Sequence, residues 1–408
     1  MMRMNESIEK AREVGLGILQ PSQRDLEHGL ELHRDAVVVE SYGLGLSAAI
    51  DGDAVARAVE EGATETELTT LTGDQRMTRW ATVPKLSVEF AEAWEASGVT
   101  CTFQNAGEEG NDPRVLIERL ARHTFVTDLM PDLMRRAIRP SDIVAAKQEG
   151  KHCRYMTGNG IPLSRDQRTV QEEMRFIRTF FQLGIRMMHL TYNRRNPIGD
   201  GCAEPADAGL SDFGRAVIAE MNEVGLIIDV AHTGRQTSLD AAALSERPMA
   251  VSHSCAHALN AHIRCKDDDV IKAIIATGGT MGITNVAAFL GGKGDISTLI
   301  DHIDYVAKTY GVDHVTIGTD RSYQSIYSDE ENAKVPASRG LRTRWEALWP
   351  ENDPVRSAEW KQDYQMQSLA WTNWPLFTVG LVQRGYSDED ILKIIGGNIL
   401  RVARDVLA

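Results

Sequence analysis

The chain has 408 residues, 42% hydrophobic and 25% charged, which suits one large α/β barrel or two smaller domains. Lys and Arg total 44 against 58 for Asp and Glu, and the resulting net charge of −14 argues against nucleic acid or an anionic membrane as a partner. No apolar run approaches the ~20 residues of a membrane-spanning helix, the N-terminus lacks a signal-peptide core, and five scattered cysteines indicate reduced thiols and a cytoplasmic protein.

Residues 1–35 have a charged, amphipathic pattern that predicts an N-terminal helical extension, and the main domain is expected to span residues 36–408. Eight short runs rich in apolar and β-branched residues follow in order, and each is predicted to form a strand. They occupy residues 36–40, 98–104, 152–157, 185–192, 225–230, 248–253, 279–286 and 314–320.

Helical patterns separate several of these runs. In residues 213–225, Val217, Ile218 and Met221 share one helical face, and Gly225 is a typical helix stop. A similar pattern precedes the eighth run. Eight strands that alternate with helices predict an α/β fold, a parallel TIM-type (β/α)8 barrel, rather than an open sheet.

Residues 321–375 form a long, polar insertion after the eighth predicted strand. A long segment at the carboxyl rim of a barrel usually covers a site or forms a subunit contact. The equally weighted alternative is an aromatic cluster that only packs the loop down. The tryptophans behind both interpretations are Trp345, Trp349, Trp360, Trp371 and Trp374.

Two histidines stand where successive predicted strands end. His232 follows the fifth strand, His253 ends the sixth, and Asp320 ends the eighth. Because the carboxyl ends of barrel strands meet at one mouth, we expect these three side chains to converge. Two imidazoles and a carboxylate suit zinc or a similar divalent ion. A single histidine at a strand end is more often a hydrogen-bonded core residue, so the prediction depends on the combination.

Four stretches of the chain resemble the membrane (renal) dipeptidase family, peptidase family M19 of the amidohydrolase superfamily. They are LSDFGRAVIAEMNEVGLIIDVAHTG, VSHSCAHALNAHIRCKDDDVIKAI, DHIDYVAKTYGVDHVTIGTD and RGYSDEDILKIIGGNILRVARDVL. The resemblance runs in order from about residue 180 to the C-terminus. It implies a (β/α)8 barrel whose metal centre hydrolyses dipeptides or related amides, and a protein that forms homodimers.

The same resemblance implies roles for single residues. The family's DVSH and SHS motifs, which supply two metal ligands, fall on His232 and His253. The arginine that binds the substrate carboxylate falls on Arg264, and the aspartate of GSDFDG falls on Asp320.

The first strand departs from the family pattern. Where the family has DGHND, this chain has VESYGLG, so Glu40, Tyr42 and Leu44 replace Asp, His and Asp. The family's bridging glutamate aligns with Thr157, and its substrate-contacting histidine with Tyr192. Two adjacent cations need several carboxylates to offset their repulsion. We therefore expect one ion, zinc or another divalent metal, rather than two, and a metal-free site stays open.

Strand alternation indicates which other residues face the cavity. Glu40 shares a strand face with Tyr42, so it is the one substitute acid that the pattern offers as a ligand. His189 has the parity opposite to Tyr192 and is predicted to face the helices. Tyr42 and Tyr192 either fill vacated space or act as phenolic acids or bases, and Tyr192 would also contact substrate.

These features predict a dipeptidase-like, metal-dependent hydrolase of a small amide or dipeptide that bears a carboxylate. In it, His232 and His253 hold the ion, Asp320 takes a proton from water and Arg264 anchors the carboxylate. Two alternatives remain. One is a lyase or isomerase that uses tyrosine, histidine and aspartate acid–base chemistry on the same barrel, and the other is an inactive ligand-binding homologue.

Overall fold

The computed structural model describes residues 5–107, 112–161, 169–336 and 347–407. Each of the eight central strands overlaps one predicted run, so their number and order are confirmed, although the first of these strands shares only residues 39–40 with the predicted run 36–40. They are β1 (Val39–Gly43), β2 (Cys101–Asn105), β3 (His152–Gly158), β4 (Ile185–His189), β5 (Ile227–Asp229), β6 (Ala250–Ser254), β7 (Thr280–Ile283) and β8 (Val315–Ile317).

Each strand pairs in parallel with the next one along the chain, from β1 through β8. The sheet curls until its two ends meet. There the Asp320 backbone N–H donates to the Tyr42 carbonyl at 3.3 Å, and a short parallel ladder joins Gly45–Ser47 to Ser322–Gln324. The result is a nearly closed (β/α)8 barrel, as the alternating pattern predicted.

Helices surround the barrel because each connection between parallel strands must cross over outside the sheet. The predicted helix after β4 is present as Asp212–Val224. Ser211 caps its start, and Gly225 ends it in the left-handed conformation with φ 83°. The other helices between β1 and β8 are Gly52–Glu60, Glu65–Thr82, Pro84–Ser97, Pro113–Leu129, Pro140–Gln148, Val170–Gln182, Arg235–Leu244, Asp268–Ala276, Ala287–Leu290 and Ile296–Tyr310.

The carboxyl-terminal part of the chain is also helical. Its final helix, Asn398–Leu407, places Ile399, Val402 and Val406 in one apolar cluster with Val39 and Cys101, which are the first residues of their strands. This helix therefore packs at the end of the barrel where the strands begin and leaves the carboxyl mouth to other residues. The preceding helices after β8 are Ser328–Ala333, Asp363–Ser368, Trp374–Gln383 and Asp388–Leu392.

Two helices, Glu6–Leu19 and Gln23–Asp35, occupy the predicted N-terminal extension. His33 joins the second of them to two distant helices, because its Nδ1 lies 2.8 Å from Thr378 Oγ1 and its Nε2 lies 2.9 Å from the Ser97 carbonyl. Asn373 Nδ2 also donates to the Ala11 carbonyl at 2.8 Å. The extension is thus integrated with the carboxyl-terminal part of the chain.

The Trp-rich insertion contributes buried aromatic anchors. Trp371 and Trp374 are almost fully buried, and Trp371 packs edge-on against Trp94 with ring centroids 5.1 Å apart. Trp349 packs on Phe289 at 5.7 Å. Trp345 lies outside the described residues. These contacts agree with the packing interpretation of the segment, and its role as a cover or a subunit contact stays a prediction.

None of the helices within the described ranges combines the length and the apolar character needed to cross a lipid bilayer.

Candidate active site

The carboxyl ends of β4, β5 and β6 bring three histidines together. His189 ends β4, His232 follows β5 by three residues, and His253 lies near the end of β6. Each is at most 3% exposed. His232 Nε2 and His253 Nε2 are 3.0 Å apart, so the structure brings together the two histidines that strand order placed at one mouth.

Hydrogen bonds at the other ring nitrogens fix how these imidazoles point. His232 Nδ1 lies 2.7 Å from Asn193 Oδ1, and His253 Nδ1 lies 2.8 Å from Ser252 Oγ. An amide oxygen only accepts, so His232 donates through Nδ1 and keeps a lone pair on Nε2. Asn193 adopts φ 55°, a left-handed conformation that asparagine tolerates better than most residues.

Burial keeps both histidines in their neutral form. It lowers the pKa of His232 and of His253 well below the ordinary histidine value, and the nearby positive charge of Arg264 lowers both further. A neutral imidazole presents the lone pair that a metal ion needs, whereas an imidazolium repels one. The pair is therefore set up for coordination or for accepting a proton.

Arg264 is completely buried and braces the two histidine-bearing segments. Its Nη2 donates to the His253 carbonyl at 3.0 Å, and its Nη1 donates to the carbonyl of Ala231, the residue before His232. These two bonds use two of the guanidinium N–H groups. A substrate carboxylate would have to bind to the remaining N–H groups of this buried side chain. Its predicted role in binding a substrate carboxylate stays a prediction.

Two tyrosines cover the histidines. Tyr42 stacks on His253 with ring centroids 3.9 Å apart and an interplanar angle of 16°, and its hydroxyl donates to Asn159 Oδ1 at 2.5 Å. Tyr192 stacks on His232 at 3.9 Å and 22°. Each of the two predicted tyrosines is therefore in van der Waals contact with one imidazole of the histidine pair.

Asp320 stands at the seam where the barrel closes. Its backbone N–H bonds to the Tyr42 carbonyl, its side chain is partly buried, and its φ of 53° lies in the left-handed region. A strained backbone of this kind is common at functional sites. Its predicted part as a ligand or proton acceptor stays a prediction.

Glu40 has a set of hydrogen-bond donors that already occupies its carboxylate. Thr102 Oγ1 donates at 3.0 Å, Trp371 Nε1 at 2.9 Å, and both the hydroxyl and the backbone N–H of Thr319 donate as well. A β-bulge between Glu40 and Gly43 breaks the strand alternation on which the expectation of a shared face with Tyr42 rested. Glu40 thus binds Trp371 of the insertion, and its role as a ligand remains only a prediction.

Leu44 and Thr157, two further positions at which the chain departs from the family pattern, also lack the metal-binding side chains of that pattern. Leu44 is 39% exposed and lines a cavity of about 800 Å³ beside the mouth, with Arg76, Arg119 and Gln324 on its walls. Thr157, at the end of β3, is buried. Neither side chain supplies the carboxylate that the family pattern has at its position.

The expectation that His189 faces the helices is wrong. Its ring lies 5.4 Å from those of Tyr42 and His253 and 5.2 Å from that of His232, measured between centroids. His189 and Met187 share one face of β4, and Met187 belongs to the apolar cluster of the barrel interior. The parity comparison with Tyr192 failed because β4 ends at His189, and Tyr192 lies in the following loop.

Asp229, which ends β5, was also overlooked. Its Oδ2 lies 2.7 Å from His189 Nε2, and Oδ1 accepts the backbone N–H groups of Ala231 and Ser252 at 3.0 Å each. His189, Asp229 and His253 each offer a ligand atom, and these atoms lie within 4.8 Å of one another. The sequence did contain a signal for Asp229. It is an acidic residue at the end of a buried strand, next to the two segments that carry His232 and His253.

A parallel barrel with buried imidazoles at its carboxyl mouth is the architecture of amidohydrolase-type enzymes. An amidohydrolase from Pseudomonas aeruginosa superimposes with a TM-score of 0.67 and 24% identity, over 93% of this chain and 99% of that one. The probable dipeptidase PvdM from the same organism gives 0.63 and 18%, over 94% and 99%. At these identities the similarity establishes the fold.

The sequence model of the membrane dipeptidase family, peptidase family M19, matches residues 78–334, and the chain belongs to this family. Dipeptidase tcpJ of Claviceps purpurea is 25% identical over 328 residues, which is 79% of this chain and 64% of that protein. Dipeptidase verJ of Clonostachys rogersoniana is 27% identical over 313 residues, 71% of this chain and 70% of that protein. The match with tcpJ thus leaves about a third of that relative uncovered.

Proposed function

We propose that this protein is a dipeptidase-like hydrolase that uses a single divalent metal ion, zinc or a similar metal, to cleave a small amide or dipeptide with a free carboxylate. The observation that carries the proposal is the approach of His232 Nε2 to His253 Nε2 at 3.0 Å, with both imidazoles buried and neutral. Membership of the membrane dipeptidase family and two curated relatives named as dipeptidases support the reaction class.

A single ion is favoured because the two carboxylates that the family pattern has at the positions of Leu44 and Thr157 are replaced by uncharged side chains. Tyr42, Leu44 and Thr157 stand at three of the aligned ligand positions, and their side chains bring no negative charge at neutral pH. His232 and His253 supply ligands suited to one zinc-like ion, which needs three or four protein donors in all.

When bound, such an ion supplies Lewis acidity toward the scissile carbonyl. The other roles belong to the chain itself. Asp320 accepts the proton of the attacking water, Arg264 holds the substrate carboxylate, and the two tyrosines exclude bulk water and donate protons at the rim. The cavity of about 800 Å³ beside Leu44 is within the size range of small-molecule sites, but its lining includes none of His232, His253, Arg264 and Asp320.

The proposal is tested with metal-free protein, a panel of dipeptides and N-acyl amino acids, and labelled water. We expect hydrolysis with incorporation of the label, at least 100-fold activation by Zn²⁺, Mn²⁺ or Co²⁺, and loss of activity in His253→Ala. His28→Ala is the matched control, because His28 is a surface histidine paired with Asp388. Less than a tenth of an equivalent of bound metal together with no activation by metal would refute the proposal.

A second candidate function draws on the tyrosines. Tyr42 and Tyr192 each stack on an imidazole at 3.9 Å, an arrangement that also suits metal-free acid–base catalysis by a lyase or isomerase. Turnover of a carboxylate-bearing substrate without incorporation of label from water, unaffected by chelators, would favour this candidate over hydrolysis. Binding of a small acid without turnover would favour an inactive ligand-binding homologue.

We also propose a cytoplasmic location and a homodimeric assembly. The location rests on the cysteines, all five of which are free and four of which are buried, as in a reducing compartment. The dimer rests on the family resemblance alone. Fractionation of the native host and sedimentation of the purified chain test the two statements separately, and a monomer at micromolar concentration would contradict the second.

A further inference from the structure

We propose that the metal ion binds on the β4 and β5 side of the barrel mouth rather than at the first-strand motif of the family, with His189 and Asp229 as ligands beside His253. This inference rests on the proposed function only in assuming that an ion binds at all. The three side chains end β4 and β5 and lie on β6, so the site shifts away from β1, where Tyr42 and Leu44 have replaced ligands.

The donor geometry is the first argument. Ligand atoms of His189, Asp229 and His253 lie within 4.8 Å of one another. A zinc-like ion binds nitrogen and oxygen at about 2.0–2.2 Å, so two of its ligands can lie up to roughly 4.4 Å apart. Small side-chain adjustments therefore bring all three atoms onto one ion. His232 Nε2, 3.0 Å from His253 Nε2, stands beside this group as a fourth nitrogen.

The orientation of His189 and Asp229 is the second argument. Their closest atoms, Nε2 and Oδ2, are 2.7 Å apart, yet the ring N–H direction does not aim at the oxygen. Within the described ranges, both His189 nitrogens and Asp229 Oδ2 lack a hydrogen bond of good geometry, although both residues are almost completely buried. An ion bound between the two residues would satisfy both atoms.

Charge balance is the third argument. Asp229 carries a carboxylate in a site that excludes water, and its two backbone hydrogen bonds reach only Oδ1. A buried carboxylate needs a positive partner, since removing an unpaired ion from water costs several kcal/mol. Arg264 and Lys266, two buried cations nearby, donate to the carbonyls of Ala231, His253 and Thr233 instead. His189 is the side chain that faces Asp229 Oδ2, and a divalent ion between the two would supply the positive charge that a neutral imidazole does not.

The altered first strand fits this position. Tyr42 lies flat on His253 and approaches His189, so its ring covers the group from the side that β1 would otherwise furnish with ligands. Ligands on β4, β5 and β6 then replace those lost on β1. Tyr42 thus forms a wall of the metal pocket and is not a ligand of the ion.

Crystals of the full chain grown with Zn²⁺, with diffraction recorded on both sides of the zinc absorption edge, test the position directly. We expect one anomalous peak bounded by His189, Asp229 and His253. A peak bounded by His232 and His253 but remote from His189 and Asp229 would overturn the inference and leave the proposed function intact. An absence of any peak, together with metal-independent activity, would instead overturn the proposed function.

Metal affinity provides a second readout that does not depend on turnover. In equilibrium dialysis against Co²⁺, His189→Gln and Asp229→Asn should each weaken binding at least about 100-fold, more than the loss of a residue that only supports a ligand. Thr157→Val is the matched control at the aligned bridging position, and its affinity should stay within threefold of the native value. Unchanged Co²⁺ affinity in folded His189→Gln protein would contradict the inference, as would a larger loss in Thr157→Val.

Discussion

Tyr42 lies face to face with His253, with ring centroids 3.9 Å apart and planes inclined by 16°. The phenol ring thereby fixes one side of a histidine that also contacts Ser252, His232 and His189. Tyr42 can therefore stabilise the folded protein in two ways, by the packing of its ring and by the hydrogen bond of its hydroxyl to Asn159. Substitutions can test these two contributions separately.

Tyr42→Phe should lower the free energy of unfolding by about 1 kcal/mol, because it keeps the stacked ring and removes one buried hydrogen bond. Tyr42→Leu should lower it by roughly 2–3 kcal/mol, because it also removes the aromatic contact and leaves a cavity. Urea unfolding of both variants measures the difference. Equal losses in the two variants would show that the hydroxyl, and not the ring, provides the stabilisation.

Glu40 should make the protein less stable as the pH rises from 5 to 8. Burial raises the pKa of Glu40 from 4.5 to about 7, and the hydrogen bonds from Thr319, Trp371 and Thr102 only partly oppose this. Between these two values the folded protein binds more protons at Glu40 than the unfolded chain does, so the stabilising contribution of Glu40 is fully present below pH 4.5 and is lost as the pH rises through about 7. The contribution is of the order of 3 kcal/mol.

The check is urea unfolding of wild type and Glu40→Gln across this pH range. The variant cannot ionise at position 40, so its stability relative to wild type should improve by about 3 kcal/mol between pH 5 and pH 8. A difference that stays constant across the range would mean that the buried Glu40 carboxyl group keeps an ordinary pKa.

Arg264→Lys should lower the free energy of unfolding by about 2–4 kcal/mol despite conserving the charge. A lysine ammonium cannot span the carbonyls of Ala231 and His253 as the planar guanidinium does, and it leaves a buried carbonyl unsatisfied. Thermal or urea unfolding measures the loss. Full native stability in this variant would indicate that Arg264 does not brace the histidine segments, and would favour a role in binding alone.

Two glycines in the N-terminal helices should respond to alanine in opposite directions. A Cβ on Gly17 meets nothing within 4 Å, so Gly17→Ala should raise stability by about 0.5–1 kcal/mol through helix propensity. A Cβ on Gly29 would lie 2.7 Å from the backbone Cα of Val379, so Gly29→Ala should lower stability by roughly 1–3 kcal/mol through overpacking. Denaturation of the pair tests the close docking of the second helix, and a stabilised Gly29→Ala protein would contradict it.

The sequence alone predicted the barrel well because its signals are local. Each strand is a short apolar run, and the helix Asp212–Val224 carries its own cap at Ser211 and its stop at Gly225. The meeting of His232 with His253 followed from a general property of parallel barrels, that strand ends share one mouth.

The parts of the site that could not be predicted depend on where regular alternation stops. The bulge between Glu40 and Gly43 changes which residues of β1 share a face, and no local pattern marks it. Because β4 ends at His189, Tyr192 lies outside the strand. The alternation of side chains along a strand therefore does not relate the orientations of these two residues. Asn193, which orients His232, is positioned by a left-handed backbone turn in a loop, a tertiary feature without a periodic signature.

The docking of Gln23–Asp35 against Trp374–Gln383, with His33 bonded to Thr378, has a consequence for biosynthesis. The two partners of this contact are separated by some 340 positions, so the early helices emerge from the ribosome long before the surface that shelters them exists. Until Trp374–Gln383 has been synthesised, the nascent chain carries the amphipathic helix Gln23–Asp35 without this packing partner.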